Sequence, residues 1–347
     1  MKTLSRLLAG ALFLAAASSP VSFPRDHGTH ADAAVEWWYW TGHLASEDGR
    51  AYGFQLTFFR VREMHLAHFA WSDLSAAKFA YREKTHLGLP GIAGASAERL
   101  DVFNEDWFAR DRERESGRER EGVQRLHARS PEGELTLALR AEKPPVLHGA
   151  SGISRKGPGP DDYSHYVSIP RLSATGTWIA GGKARQVHGT AWFDHEWGPG
   201  ALPAGVAGWD WFALQLSDGS ELMLYRMRLA GGGASPFSSG TFIPASGPPR
   251  TISWDDVALT AKSTWTSPHS RATYPSTWSL AVRSLELEAT ITPLMPDQEL
   301  STEQSTGVTY WEGACRVEAK RGGRAIGGRA YVEMTGYAGR DVPGFGP

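Results

Sequence analysis

The 347-residue chain carries 36 basic and 38 acidic side chains, for a formal net charge of −2. That balance excludes a dominant field for nucleic acid or an anionic membrane, and the length suffices for two domains, each with its own core. A single cysteine, Cys315, excludes an intramolecular disulfide and argues against cysteine-ligated zinc, while 14 tryptophans favour strands and amphipathic pockets.

The chain opens with a short basic lead, Met1 to Arg6, then an apolar run from Leu7 to Ala17 and a small-residue break at Ser18-Ser19-Pro20. This pattern predicts a cleavable signal peptide over residues 1–19 and a secreted or periplasmic protein, with a retained N-terminal anchor as the alternative. A polar lead-in, Phe23 to His30, follows. Trp37 to Leu44 and Tyr52 to Val61 read as the two strands of a β-hairpin around Asp48-Gly49. Phe69 to Ser72 is another short strand. Leu74 to Arg82 offers the best helical face, through Ala76, Ala77, Phe79 and Ala80. The charge-alternating run Asp101 to Glu121 reads as a solvated strand pair or short helix. Strand text returns at Leu135 to Arg140, Tyr163 to Leu172, Gly176 to Trp178 and Gln186 to Trp197.

The Pro/Gly stretch Pro199 to Gly205 is the expected boundary between domains of residues 20–200 and 201–347. Short strands then recur to Met334. Such spacing indicates an all-β fold of barrels or sandwiches with few short helices. The two halves repeat. Trp37 to Leu44 aligns without gaps on Trp209 to Leu216, and Asp-Gly turns follow at Asp48-Gly49 and Asp218-Gly219. Each half then gives a strand ending in arginine, Arg60 or Arg226. The closing strands match as well, with Gly189-Thr190-Ala191-Trp192-Phe193-Asp194 resembling Gly328-Arg329-Ala330-Tyr331-Val332-Glu333.

Thr190 to Gly198 concentrates the chemistry: two carboxylates, an imidazole and two indoles in nine residues. Strand alternation places Trp192, Asp194 and Glu196 on one face and Phe193, His195 and Trp197 on the other. A carboxylic acid among indoles is an environment that raises a pKa and keeps an acid protonated near neutrality. The competing reading has Asp194 and Glu196 paired with arginine or backbone groups to lock the barrel mouth. Glu36 has the same two readings, a cavity carboxylate or a partner of Arg60. Asp26, His27 and His30, like His65 and His68, have spacings that match no strong metal motif, and no metal or other cofactor is expected. No Gly-x-Ser-x-Gly elbow, Walker A or dinucleotide fingerprint occurs.

Glu36-Trp37-Trp38-Tyr39, Gly42-His43-Leu44, Gln55-Leu56-Thr57-Phe58-Phe59-Arg60 and Asp194-x-Glu196-Trp197-Gly198 resemble the secreted AttH-like, carotenoid 1,2-hydratase-type family. The resemblance implies two tandem lipocalin-like antiparallel β-barrels. It also implies a small apolar ligand, isoprenoid or lipid-like, and in hydratase members the addition of water to an alkene. Carried over, it makes Asp194 the proton donor, with Trp192 standing where hydratases have tyrosine, and His165 the counterpart of a His-x-Trp whose tryptophan is here Val167. Trp38, Tyr39, Gln55, Trp209 and Trp211, with Glu36, His195, Glu196 and Trp197, are the expected ligand-facing set. A non-catalytic ligand carrier, an accessory to an envelope transporter complex and a secreted hydrolase are the alternatives.

Overall fold

A computed structural model describes residues 20–111, 113–115, 118–120, 122–200 and 202–339; the expected signal segment lies outside them. The strands of the first half are β1 (Val35–Ser46), β2 (Ala51–Val61), β3 (Met64–Asp73), β4 (Lys78–Leu87), β5 (Ala93–Ala95), β6 (Asp101–Asn104), β7 (Trp107–Arg110), β8 (Glu113–Glu115), β9 (Arg118–Arg120), β10 (Val123–Ser130), β11 (Gly133–Ala141), β12 (Val146–Leu147), β13 (Ile153–Arg155), β14 (Tyr163–Ala180) and β15 (Lys183–Gly198). Those of the second half are β16 (Val206–Leu216), β17 (Glu221–Leu229), β18 (Ser239–Ile243), β19 (Arg250–Ser253), β20 (Val257–Ala261), β21 (Thr264–Thr266), β22 (Thr273–Pro275), β23 (Trp278–Val282), β24 (Leu287–Pro293), β25 (Glu299–Ser301), β26 (Thr309–Arg321) and β27 (Arg324–Met334). Among the described residues the only helical pieces are three single 3-10 turns, at Arg25–His27, Trp254–Asp256 and Arg283–Leu285.

Two large antiparallel sheets result. The first runs β4-β3-β2-β1-β15-β14-β11-β10-β7-β6-β5, with β12 and β13 added along β14. It curls until its ends meet side chain to side chain. Asn104 Nδ2 donates to the His65 carbonyl at 3.0 Å, Asn104 Oδ1 meets His86 Nδ1 at 2.8 Å, and Lys84 Nζ reaches Glu105 at 2.8 Å and also Asp106. The second runs β19-β18-β17-β16-β27-β26-β24-β23-β20, and its end strands are consecutive in the chain through the turn at Trp254–Asp256. In both sheets the first strand pairs with the last, β1 with β15 and β16 with β27. This is how a nearly closed barrel limits exposed strand edges.

Each barrel has its own interior. Trp38, Trp40, Phe54, Leu56, Phe58 and Phe193 fill the first, and Phe212, Leu214, Leu222, Leu224, Trp278 and Leu280 the second. A third cluster, with Tyr39, Tyr166, Trp192, Trp211, Tyr225 and Met227, lies between the barrels. It explains why β1 reads aromatic on both faces. Its inner face fills a barrel and its outer face packs against the other half, so neither face is open to solvent. Each large apolar side chain so buried contributes roughly 1.5–3 kcal/mol.

The repeat extends inside the barrels. Glu36 lies directly across from Arg60 on β1 and β2, and Asp210 across from Arg226 on β16 and β17. The Asp210 carboxylate takes Arg226 Nε at 2.7 Å and the Tyr337 hydroxyl at 2.8 Å.

Two sequence expectations change, and one pair of alternatives is decided in favour of strands. Leu74 to Arg82 is not a helix. Asp73 forms a turn by accepting from the Ala76 amide through Oδ1 at 3.0 Å, Ala77 adopts φ 51°, and β4 starts at Lys78. Ladder pairing with β3, and Phe79 and Tyr81 packing on one face, prevail over local helical propensity. Asp101 to Arg110 is the hairpin β6–β7, and β8–β9 is a two-stranded ribbon. Tyr163 to Ala180 is one long strand that absorbs Pro170 in a register shift between Ile169 and Leu172.

Candidate functional site

Pairing register decides which side chains meet between the barrels. On the first, Tyr39 lies opposite Asp194, and Asp194 lies opposite Ser168 on its other side. On the second, Trp211 lies opposite Glu333, and Glu333 opposite Glu312. The two halves therefore present the same pattern, an aromatic beside an acid, toward each other. The Tyr39 and Trp211 rings meet edge to face at 5.2 Å and 86°.

Between them is a cavity of about 160 Å³. Tyr39, Gln55, Tyr166, Asp194 and Glu196 line it from the first barrel, and Trp209, Trp211, Tyr225, Glu312 and Glu333 from the second. Half-buried residues of the lining, among them Trp37, Phe59, Gly200, Leu202 and Trp209, mark its mouth beside the connection between the sheets.

Asp194 is buried and touches no cation. Its Oδ2 accepts from the Tyr166 hydroxyl at 2.6 Å, and its Oδ1 from Trp192 Nε1 at 2.6 Å and from Ser168. Tyr166 in turn accepts from Trp211 Nε1 at 2.9 Å, and Ser168 Oγ lies 2.6 Å from His148 Nε2. Burial pushes the carboxyl up to about 7, against the pull of Ser168, Tyr166 and Trp192. The acid thus sits where it both holds and releases a proton near neutrality.

Glu196, two residues on, takes the Ser164 hydroxyl and the Lys156 ammonium at 3.3 Å. Lys156 stands 4.1 Å over the Tyr225 ring. Burial disfavours its charge, but Glu196 and Tyr225 outweigh this and hold it above the usual lysine value. On the opposite wall, burial pushes Glu333 up to about 7, while Trp209 Nε1 donates to it at 3.2 Å. Glu312 is raised well above the carboxylate range by burial and by Glu333, and it accepts from the Tyr39 hydroxyl.

The raised acid fixes a pH dependence. The native state keeps a proton on Asp194 that the unfolded chain releases near pH 4, so the stabilisation is complete below pH 4 and is lost as pH rises to about 7. Asp194→Asn has no such proton to lose. Its unfolding free energy relative to the parent is expected to shift in the variant's favour between pH 4 and pH 7.5, as measured by urea unfolding at both. A constant difference counts against a raised pKa.

The expected site residues divide by face. Tyr39, Gln55, Asp194, Glu196, Trp209 and Trp211 come together in the cavity, and Trp192 lies behind Asp194 as its hydrogen-bond donor. His165, Glu36, Trp38, His195 and Trp197 belong to the other face of the sheet. His165 stacks on Trp197 at 5.1 Å, parallel within 11°. Its odd parity on β14 points it away from Asp194, and Tyr166 occupies the place expected of it. Trp38 donates to the His27 carbonyl at 3.0 Å and stacks on His195 at 4.9 Å. Glu36 pairs with Arg60 at 3.2 Å, as one of its two readings required, and meets His30 and His195 as well. Burial alone would raise Glu36, yet His195, His30 and Thr29 bring it well below the usual range. Tyr166, Ser168, Lys156 and Glu312 were missed. Tyr166 and Ser168 follow from the register of β14 on β15, which the sequence does not state; Lys156 and Glu312 had no signal either.

The AttH-like family model matches residues 14–337. A crystal structure of an AttH protein from Nitrosomonas europaea superposes with a TM-score of 0.83 at 35% identity, over 92% of this chain and 98% of that one. Kievitone hydratase from Nectria haematococca shares the fold, with a TM-score of 0.73 at 17% identity over 91% and 93% of the two chains. CghA, in complex with Sch210972, matches with a TM-score of 0.53 at 10% identity over 87% and 88%. A search of curated protein sequences finds no match.

Proposed function

The chain belongs to the AttH-like family, and from that premise we propose that it takes an apolar, alkene-bearing ligand between its barrels and adds water to it. The carrying observation is Asp194, a buried acid free of any cation, poised near neutrality on an aromatic cavity wall. Kievitone hydratase, a hydratase by name, has the same fold, which supports the reaction class and not the substrate. A cavity of about 160 Å³ compares with the ~150 Å³ that holds a benzene-sized group. It suits the unsaturated end of an isoprenoid or lipid-like chain whose remainder leaves through the mouth.

The chemistry follows from the contacts. In the protonated acid the 2.6 Å bond between Asp194 and Tyr166 runs from Oδ2–H to the Tyr166 oxygen, which frees the Tyr166 hydroxyl to face the cavity; Asp194 passes its proton to that oxygen as the Tyr166 hydroxyl proton moves to one alkene carbon. The π pair forms the new C–H bond and the other carbon becomes cationic, facing the indoles of Trp209 and Trp211 and the Tyr39 ring. Glu196 orients water by accepting a hydrogen bond from it. The water oxygen bonds the cation, and the proton it sheds returns to Asp194. Net charge and proton count are restored. The apolar leader supports export of the protein.

Incubation with acyclic isoprenoids, read by mass spectrometry, tests this. A water adduct with the parent and none with Asp194→Asn supports the reaction, and no adduct with either overturns it for those substrates. One observation favours a second reading. Asp194 already has three donors, as a purely structural carboxylate would, so a copurifying lipid without turnover identifies a carrier.

A further inference from the structure

On the far side of β1 and β15 from the cavity, three ligand-type atoms converge: His30 Nδ1, Glu36 Oε1 and His195 Nε2 all lie within 4.8 Å of one another. His30 Nδ1 is 2.8 Å and His195 Nε2 3.0 Å from the same Glu36 oxygen. The far nitrogen of each ring is already committed. His195 Nδ1 faces the Asp26 carbonyl at 3.1 Å, an atom that only accepts, so that nitrogen carries a hydrogen. His30 Nε2 faces the Asp26 carboxylate at 3.1 Å, which Arg25 also holds at 2.8 Å. With the far hydrogens so placed, neutral imidazoles aim two lone pairs at a third acceptor.

Three converging acceptors need either two extra protons or one dication among them. Two extra protons would put two imidazolium ions beside the Arg60 guanidinium, and the His195 and Glu36 side chains are wholly shielded from solvent. One dication gives the same net charge and leaves both rings neutral. From this arrangement we infer that His30, Glu36 and His195 bind a divalent transition cation of the zinc class. Two imidazoles and one carboxylate are a ligand set such ions favour, and imidazoles anchored through their far N–H to oxygen acceptors are the usual outer support of such sites. The other Glu36 oxygen is held by Thr29 Oγ1 at 2.6 Å and Arg60 Nε at 3.2 Å, and the His30 amide is shared between the two oxygens at 3.1 and 3.2 Å, so Oε1 keeps a lone pair for the ion. Two indoles wall the site. Trp197 lies flat on His30 at 3.8 Å, parallel within 2°, and Trp38 covers His195. The ion would fasten the lead-in segment to the strands whose other faces bear Tyr39 and Asp194.

The test is Co2+ added to the chelator-treated full chain, followed by visible absorption and equilibrium dialysis. One ion per chain is expected, displaced by Zn2+, with His30→Ala binding at least ~100-fold more weakly and Asp26→Asn about 10–100-fold more weakly. No binding at millimolar Co2+, or equal binding in His30→Ala, overturns the inference. Should His30→Ala fail to fold, anomalous scattering at the zinc edge from parent crystals grown with Zn2+ decides. A peak among His30, Glu36 and His195 supports the site, and a peak elsewhere or none overturns it.

Discussion

Asp194→Asn is expected to lower the rate of water addition by about 10³-fold, within the range general acids contribute, while ligand affinity changes by no more than about threefold. The substitution is nearly isosteric on the cavity wall. The amide oxygen can still accept from Trp192 and Ser168, but the amide has no acidic proton to pass to Tyr166. Loss of rate at constant affinity is the sign of a group used only in the transition state. The parent should also lose activity as pH rises through about 7, because the active form is the protonated acid. Glu333→Gln serves as the internal control, since Glu333 is the repeat equivalent of Asp194 with a similarly raised pKa. A variant Asp194→Asn within threefold of the parent rate would move the acid across the cavity to Glu333 or Glu312. Initial rates at several pH values, with ligand binding measured separately, decide the matter.

The pattern in the sequence was enough for the barrels and for one wall of the cavity. Aromatic strands with Asp-Gly turns dictated the hairpins, and the gapless alignment of Trp37 to Leu44 on Trp209 to Leu216 placed equivalent aromatics in both halves. Alternation separated Trp192, Asp194 and Glu196 from Phe193, His195 and Trp197, and the structure keeps that division. What failed were features decided between segments. His165 and Tyr166 are neighbours in sequence, and only the pairing of β14 with β15 shows that Tyr166 shares a face with Asp194. Glu312 becomes a cavity acid because β26 lies beside β27, and nothing in Tyr310-Trp311-Glu312-Gly313 states that. His30, Glu36 and His195 come from the lead-in, the first strand and the last, so no motif spacing could join them. The residues Leu74 to Arg82 misled because alanines at helical spacing carry no information about an available strand edge, whereas β3 supplied one.

Trp211→Ala is expected to cost about 3–5 kcal/mol, the range for removing a buried tryptophan or phenylalanine, and to uncouple the barrels. Trp211 is the side chain on which the interface converges. Its ring meets Tyr39 edge to face at 5.2 Å and Trp192 at 6.2 Å, and its Nε1 donates to Tyr166. Yet it belongs to neither barrel interior, so both inner cores stay intact without it. Urea unfolding followed by barrel-resolved hydrogen exchange should therefore show one cooperative transition in the parent and separate transitions in the variant. Trp211→Phe keeps one aromatic ring in the interface while losing the donor to Tyr166 and part of the indole volume, with the lost hydrogen bond alone costing about 1–3 kcal/mol if that oxygen is left underpaired. Both variants lack the donor to Tyr166, so the difference between them reports the packing of the ring that Phe retains. A cost below about 1 kcal/mol for Trp211→Ala, well short of cavity-forming losses, would mean that the interface is held at its edges instead. Those edges are the His43 Nε2 contact with the Ala330 carbonyl at 2.9 Å and Lys143 on Glu221 at 2.6 Å. In that case Tyr166 and Asp194 would keep their positions without Trp211, and the variant would retain the parent's pH profile.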